Sequence, residues 1–389
     1  MVKMSINSSL GSNIILINLD GLRKDKIDSC PNLKSFRDNN AYFSKMISVS
    51  PYTLAAHNSI FSGLYPSQNG VNAYYHMFRF KENEITTFTQ LLRNAGYYTR
   101  SDVISENLVP KQGFDKITVF DEKIVDFKSR HSEIINEVSK HEKFFLFLHY
   151  EGVHSRLVED VLKKYDPKAN EDEYFKERNK NEIRYESFLP ECDEYVKEII
   201  ETVEKLPNKD KVVLIFFADH GASIGEKQGE KFYGVYTYDY TINSFCIMDY
   251  PAGIKKIDTQ CSILDIFPTC LEIADVNYSL EYDLEGESLL PWVKKNAPMI
   301  NEEKPVFVET GGLYGYWPSP KKHNVFCVRY QNKKLIYNDT PKSWEFYNLE
   351  MDPGEISNIF DENSNEVKKF KQMLTDYLSK LGIKTKITS

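Results

Sequence analysis

The chain has 389 residues, of which 41% are hydrophobic and 27% are charged, and its formal net charge at pH 7 is −8. This length and composition are typical of a globular protein with one large domain or two unequal domains. The negative charge argues against a nucleic-acid-binding protein, because phosphate backbones require clustered lysine and arginine. An anionic small substrate is still compatible with it, since one local metal ion outweighs a diffuse negative surface.

The cysteine pattern and the first residues bear on the compartment. The six cysteines are scattered, with no CxxC pair and no metal-ligand spacing. Several of them, such as Cys246 and Cys270, lie in apolar runs, where we expect buried free thiols. The first five residues, MVKMS, lack the uninterrupted apolar segment of a signal peptide, and no later apolar run approaches membrane-spanning length. We therefore expect no membrane span and a reducing, cytoplasmic setting.

Strand-like and helix-like segments alternate through most of the chain. This alternation predicts an α/β fold with a mostly parallel sheet and helices on both of its faces. The patterns predict strands at 13–19, 41–48, 97–103, 144–149 and 212–218. Helices are predicted at 32–37, 54–61, 87–95, 191–206 and 262–274. The segment 144–149 is continuously apolar, which indicates a central strand.

From residue 305 onward the pattern changes. Segments 305–309, 325–330 and 334–337 alternate like the strands of a small antiparallel sheet, and 366–381 has the spacing of an amphipathic helix. We therefore predict a catalytic domain over residues 1–300 and a C-terminal α+β subdomain over residues 301–389.

Polar side chains follow two of the predicted strands and begin one predicted helix. Asp20 follows the first strand, Asp219 and His220 follow the strand at 212–218, and Thr53 precedes the helix at 54–61. Strands of an open α/β sheet deliver their functional groups at their carboxyl ends. Two carboxylates, an imidazole and a hydroxyl can hold one divalent metal ion and an activated alkoxide, which predicts ester hydrolysis or group transfer at phosphorus or sulfur. The alternatives are a helix-capping role for Thr53 and a capping Asp219 beside a surface His220.

Further histidines and two lysines are candidates for substrate contact. His57, one helical turn after the threonine, has the spacing to orient its hydroxyl, or it is structural. His149 and His154 follow the apolar strand; we favour His154 as the group that steadies the leaving group, and His149 can equally be a core residue. Lys227 and Lys231 lie in a glycine-containing loop, where a lysine either neutralises a substrate oxygen or is simply solvated.

Over almost its whole length the chain closely resembles the sulfatase branch of the alkaline phosphatase superfamily. The resemblance rests on shared segments in the same order: 19–25, 50–66, 95–99, 113–115, 219–221, 265–269, 286–290, 344–349 and 352–355. It implies an alkaline phosphatase-like sheet and a metal site formed by Asp20, Thr53, Asp219 and His220. It also implies that Thr53 is the nucleophile and that His154 contacts the substrate.

The departures from the sulfatase pattern are informative. Sulfatases carry a cysteine or serine in a Cys/Ser-x-Pro-x-Arg motif that is converted to formylglycine, whereas Thr53, Ala55 and His57 stand at those positions here. Threonine cannot undergo that conversion. Residues 103–105 lack the lysine of the family's Gly-Lys-Trp segment. His220 replaces the asparagine of many calcium-binding sulfatases, which favours Mn²⁺ or Zn²⁺ over Ca²⁺ or Mg²⁺ as the single divalent ion.

These departures favour a metal-dependent hydrolase of phosphate monoesters, phosphodiesters or phosphonate esters that acts through a covalent intermediate on Thr53. His154, His57 and Lys231 are the predicted assisting residues, and the expected substrate is an anionic small molecule or glycan. The alternatives are a sulfuric ester hydrolase, a phospho-group transferase acting on a glycan or lipid head group, and a non-catalytic binding protein. The oligomeric state stays open.

Overall fold

The computed structural model describes residues 11–164, 171–250, 256–293, 303–311, 324–383, 385 and 387. Its strands are β1 (Asn13–Leu19), β2 (Ala41–Ile47), β3 (Tyr98–Val103), β4 (Lys116–Val119), β5 (Phe144–Tyr150), β6 (Val212–Phe217), β7 (Asn243–Met248), β8 (Lys256–Ile257), β9 (Cys261–Ser262), β10 (Val306–Thr310), β11 (Val325–Tyr330), β12 (Lys333–Asn338) and β13 (Ser343–Asn348).

The helices run between and after these strands. They are α1 (Pro31–Asn39), α2 (Thr53–Ser62), α3 (Pro66–Asn69), α4 (Phe88–Asn94), α5 (Phe127–Val138), α6 (Gly152–Lys164), α7 (Glu171–Lys176), α8 (Arg178–Glu186), α9 (Leu189–Glu204), α10 (Asp239–Ile242), α11 (Ile266–Ile273), α12 (Leu290–Val293) and α13 (Asn365–Lys380). Short 3₁₀ helices lie at Lys24–Ser29, Tyr74–His76, Glu106–Leu108, Lys209–Lys211 and Ile263–Asp265.

The main sheet has the strand order β4-β3-β5-β1-β6-β7-β2-β8, with β9 also paired to β2. Strands β3, β5, β1 and β6 are parallel, and β7 is antiparallel to both β6 and β2. Side chains of β1 alternate between two cores, since Ile14 and Leu16 belong to one and Ile15 and Ile17 to the other. Both faces of β1 are therefore buried, which explains its unbroken apolar sequence.

Helices cover both faces of this sheet. Residues of α2, α4 and α11 pack into the first core, and residues of α1, α5 and α9 pack into the second. The α/β fold class with a mostly parallel sheet is confirmed. The predicted strand at 144–149 is β5, and it lies beside β1 near the middle of the sheet, as its apolar sequence indicates.

Strands β10 to β13 form a second, fully antiparallel sheet in which neighbours in sequence are neighbours in space. Helix α13 packs on it through Phe370 and Leu374, which extend the first core. The ammonium group of Lys334 in β12 is buried and lies 2.5 Å from Asp239 of α10 and 2.8 Å from Glu355. This charge network joins the second sheet to the main one.

The sequence also predicts the state of the cysteines, the absence of a membrane span and a domain boundary. All six cysteines are free and buried, which confirms the prediction for Cys246 and Cys270. Within the described ranges no helix combines the length and apolar character needed to span a membrane. The domain boundary predicted at residues 300 and 301 lies outside the described residues, and the division into two domains stays a prediction.

Candidate active site

The candidate site lies where β1, β5 and β6 end side by side. Asn18 of β1 pairs with His149 of β5 on one side and with Phe217 of β6 on the other. Its side-chain oxygen also accepts a hydrogen bond from the backbone amide of Asp219, at 3.0 Å. The backbone amide of Asp20 donates to the carbonyl of the last residue of β5, at 2.9 Å. These contacts bring the polar residues that follow three separate strands to one edge of the sheet.

Thr53 enters the site from helix α2, whose residues are all buried. The N-cap of this helix is Tyr52, so Thr53 is the first helical residue and the capping alternative does not apply. The Thr53 hydroxyl donates to Asp20 Oδ2 at 3.1 Å and lies 3.1 Å from His220 Nε2. A hydroxyl in this position faces two metal-ligand groups and also lies at the electropositive end of a helix.

His220 presents one ring nitrogen to the site. Its Nδ1–H donates to the carbonyl oxygen of Gly221 at 2.7 Å, so Nε2 keeps its lone pair. Nε2 lies 3.4 Å from Asp20 Oδ1 and 3.8 Å from Asp219 Oδ2. A backbone hydrogen bond on one nitrogen that frees the other is the usual arrangement of a metal-binding histidine.

The carboxylates of this group fit a divalent cation. Asp20 Oδ1 and Asp219 Oδ2 are buried and have no hydrogen-bond partner among the described residues. Burial, reinforced by the charge of Asp20, raises the pKa of Asp219. Ligand atoms of Asp20, His154 and His220 all lie within 4.8 Å of one another. Thr53, Asp20, Asp219 and His220, the four predicted metal ligands, are thus brought together.

His154 stands beside these residues. Its Nε2 is buried without a hydrogen-bond partner, and its ring centroid lies 4.7 Å from that of Tyr233 and 6.0 Å from that of His220. Gly21 allows this approach, because it has a φ of +70° and a Cβ at this position would lie 3.2 Å from His154 Cβ. Together with Thr53, His154 lines a cavity of about 310 Å³.

His57 lies in the core and His149 lines the cavity, whereas the sequence pattern favours a catalytic role for His57 and none for His149. The ring of His57 accepts a hydrogen bond from the Asn18 amide at 2.9 Å and lies 3.6 Å from Asp219 Oδ2, and burial lowers its pKa well below the usual value. His57 therefore packs in the core behind Asp219 and makes no hydrogen bond to it. His149 Nε2–H donates to Asp20 Oδ2 at 2.8 Å, and His149 lines the cavity.

The sequence pattern does not identify Asn18 or Glu151 as site residues, and it favours His154 over His149. Asn18 is a fully buried amide within an apolar strand, and Glu151 is a nearly buried acid directly after β5. A polar residue in an otherwise apolar buried strand is the signal that identifies both Asn18 and His149.

Neither candidate lysine reaches the cavity. The ammonium group of Lys227 donates to the carbonyl of Glu355 and lies over the rings of Tyr238 and Tyr347, 4.5 and 5.6 Å from their centroids. Lys231 contributes its carbonyl oxygen, which accepts from the Tyr174 hydroxyl, and its ammonium group has no ion-pair partner among the described residues. The geometry therefore gives no contact for the catalytic role predicted for Lys231.

Comparison with known protein families adds independent information. Residues 12–276 match the profile described as "Sulfatase", and residues 229–384 match the profile of the C-terminal part of N-sulphoglucosamine sulphohydrolase. An N-acetylglucosamine-6-O-sulfatase of Bacteroides thetaiotaomicron is 30% identical over 195 residues, which are 47% of this chain. The match spans only 33% of that relative's length.

Solved structures show the same fold over nearly the whole chain. A 2-O GAG sulfatase superposes with a TM-score of 0.79 at 15% identity, over 96% of this chain and 94% of its own. The phosphonate monoester hydrolase of Agrobacterium radiobacter superposes with a TM-score of 0.72 at 14% identity, over 95% of both chains. At these identities the two similarities concern the fold alone.

Proposed function

The chain belongs to the sulfatase family, and on that premise we propose that it hydrolyses phosphate monoesters, phosphodiesters or phosphonate esters, with Thr53 as nucleophile. The proposal is carried by the position of the Thr53 hydroxyl, 3.1 Å from both Asp20 Oδ2 and His220 Nε2 at the buried start of α2. An alcohol held against a metal-ligand group is the arrangement that activates a nucleophile.

The identity of the nucleophile favours phosphorus over sulfur. A threonine cannot become formylglycine, so a sulfate ester on Thr53 would lack the second geminal hydroxyl that expels sulfate. A phosphate ester on Thr53 needs no such group, because water can attack phosphorus directly. The phosphonate monoester hydrolase is an example of the same fold in a protein named for a phosphorus substrate.

In the proposed reaction the chain's own groups have separate roles. A divalent ion held by Asp20, Asp219 and His220 would lower the pKa of the Thr53 hydroxyl and neutralise charge on the transferred group. Thr53 Oγ1 attacks phosphorus while the bond to the leaving-group oxygen breaks, and amides at the start of α2 face the equatorial oxygens. His154 supplies a proton to the leaving oxygen. The neutral ring then accepts a proton from the water that attacks phosphorus, and the bond between phosphorus and Thr53 Oγ1 breaks.

His149 positions Asp20 in this scheme. It holds Asp20 Oδ2, the oxygen that also accepts from the Thr53 hydroxyl. A hydrogen bond of this kind orients a metal-binding carboxylate. His57 lies 3.6 Å from Asp219 Oδ2 and makes no hydrogen bond to it.

A sulfuric ester hydrolase is the second candidate, and the names of the relatives favour it. The relative that is 30% identical is named an N-acetylglucosamine-6-O-sulfatase, and a solved neighbour is named a 2-O GAG sulfatase. In that case Thr53 would act on sulfur without the formylglycine chemistry.

A panel of four chromogenic esters separates these functions. Metal-reconstituted protein is assayed on p-nitrophenyl phosphate, bis-p-nitrophenyl phosphate, a phenylphosphonate ester and p-nitrophenyl sulfate, with Thr53→Ala as the control. We expect turnover of the phosphorus esters that is lost in Thr53→Ala, with little turnover of the sulfate. A preference for the sulfate would contradict the proposal and support the second candidate.

A further inference from the structure

The cavity beside Thr53 has an acidic wall. Besides Asp20, it is lined by Glu122, Glu151 and Glu159, and no lysine or arginine lines it among the described residues. A site that binds a strongly anionic glycan would be expected to present cationic side chains. The charged side chains of this wall are negative instead.

Glu151 is the deepest of these glutamates. It is 3% exposed, and one carboxylate oxygen accepts a hydrogen bond from the Ser155 hydroxyl at 2.7 Å. Its other oxygen, Oε2, has no hydrogen-bond partner within the described ranges. This oxygen is not among the fully buried polar atoms and so is accessible from the cavity, where a ligand that supplies a positive charge or a donor can pair with it.

The remaining walls are apolar. Ile104, Leu108 and Val158 line the cavity together with the ring of Tyr74. A hydrated metal ion prefers a shell of oxygen ligands. An alkylated ammonium group instead prefers a carboxylate together with aromatic and aliphatic surfaces.

We infer that this cavity binds the ammonium-bearing alcohol of a zwitterionic phosphodiester, with the ammonium group against Glu151 and the phosphoryl group at Thr53. This inference rests on the proposed function and specifies its substrate class. The phosphoryl end is anionic and meets the metal-ligand group, while the cationic end meets the glutamates. A substrate of this kind complements both ends of the cavity.

The test uses two esters that differ in one atom. The first is p-nitrophenyl phosphorylcholine, and the second is p-nitrophenyl 3,3-dimethylbutyl phosphate, in which carbon replaces the ammonium nitrogen. For the metal-loaded protein we expect the ratio of kcat/KM for the cationic to the neutral ester to be about 10 to 100, because only the cationic ester is attracted to the Glu151 carboxylate.

Glu151→Gln keeps the shape and an acceptor for Ser155 but removes the charge. It should bring the ratio close to one by lowering turnover of the cationic ester, with little change for the neutral one. Glu281→Gln, an exposed position outside the cavity, is the matched control and should leave the ratio unchanged. Equal turnover of the two esters by the wild-type protein would overturn the inference while leaving the proposed function intact.

Two further measurements keep the inference testable if neither ester is hydrolysed, the result that would count against the proposed function. Calorimetry compares the binding of choline with that of 3,3-dimethylbutanol to the same protein; a preference for choline that Glu151→Gln removes supports the inference, and no preference overturns it. Metal analysis of wild type and Glu151→Gln is the second measurement. Two bound ions in the wild type, with one lost in the variant, would overturn it by assigning Glu151 to a metal ion.

Discussion

Replacing Thr53 with valine removes the hydroxyl group and nearly preserves the shape of the side chain. We expect kcat/KM for phosphorus esters to fall by about 10⁴-fold or more, which corresponds to about 5.5 kcal/mol of transition-state stabilisation. Among the described residues, the other hydroxyls that line the cavity have partners of their own. Ser155 donates to Glu151, the oxygen of Ser105 accepts from the backbone amide of Asn107, and the hydroxyl of Tyr74 pairs with that of Tyr233.

The effect on stability should be much smaller than the effect on activity. The lost hydroxyl makes two polar contacts of 3.1 Å with buried partners, so valine should cost about 1 to 3 kcal/mol of unfolding free energy. Thr53→Ser is the matched control, because it keeps the hydroxyl and removes one methyl group from a side chain that is 4% exposed. It should cost about 1 kcal/mol of stability and retain activity within about 100-fold of wild type.

The assay measures steady-state kinetics, metal content and thermal unfolding for the three proteins under the same metal-loading conditions. A nucleophilic role for Thr53 requires Thr53→Val to be inactive while folded, and Thr53→Ser to remain active. It would be refuted if Thr53→Val retained activity within tenfold of the wild type. Loss of activity in Thr53→Ser with full metal content and native stability would also count against a nucleophilic hydroxyl.

Two other predictions concern stability. Removal of divalent ions with a chelator should lower the Tm of the wild type, because an ion present at 100 times its Kd stabilises the native state by about 2.7 kcal/mol; adding the ion back should restore it, and Asp219→Asn should respond less. An unchanged wild-type Tm would contradict the metal site. The second prediction concerns Asp102, which is buried and accepts two hydrogen bonds of 2.8 Å from Arg130. Although burial opposes it, the close approach of His131 Nε2, 3.2 Å from Oδ2, and the hydrogen bonds from Arg130 hold the pKa of Asp102 well below its usual range. A carboxyl whose pKa is lowered by folding contributes stability above its unfolded pKa and loses it as the pH falls through the folded pKa. Asp102→Asn should therefore cost about 2 to 4 kcal/mol at pH 7, and urea unfolding should show it losing less stability than the wild type from about pH 5 to pH 2. Parallel pH profiles for the two proteins would contradict this assignment.

The sequence alone was enough for the fold class and for the chemistry of the strand ends. Continuous apolar runs at 13–19, 144–149 and 212–218 predict strands buried on both faces, and the structure has β1, β5 and β6 there. Because parallel strands end at one edge of a sheet, Asp20 and the pair after β6 could be expected to converge. Local patterns contain this information, because the spacing of apolar residues and their burial are properties of short segments.

The sequence patterns missed β4 and β7, for opposite reasons. The side chains of β4 are intermediate or exposed, so this edge strand has no apolar run to identify it. Strand β7 is mostly buried, but it runs antiparallel between β6 and β2, outside the alternation of strands and helices from which the fold class was predicted. Neither the edge position nor the direction of a strand is encoded in its own residues.

Tertiary pairing determined the roles of the histidines and lysines. His149 contacts Asp20 across 129 residues of sequence, and Thr53 contacts His220 across 167. Spacing along the chain favoured His154 over His149, and both line the same cavity. The spacing also placed Lys227 near the site, although its ammonium group lies against tyrosine rings, one of them in β13. The physical reason is that strand order and long-range packing, which no local pattern contains, decide which side chains meet.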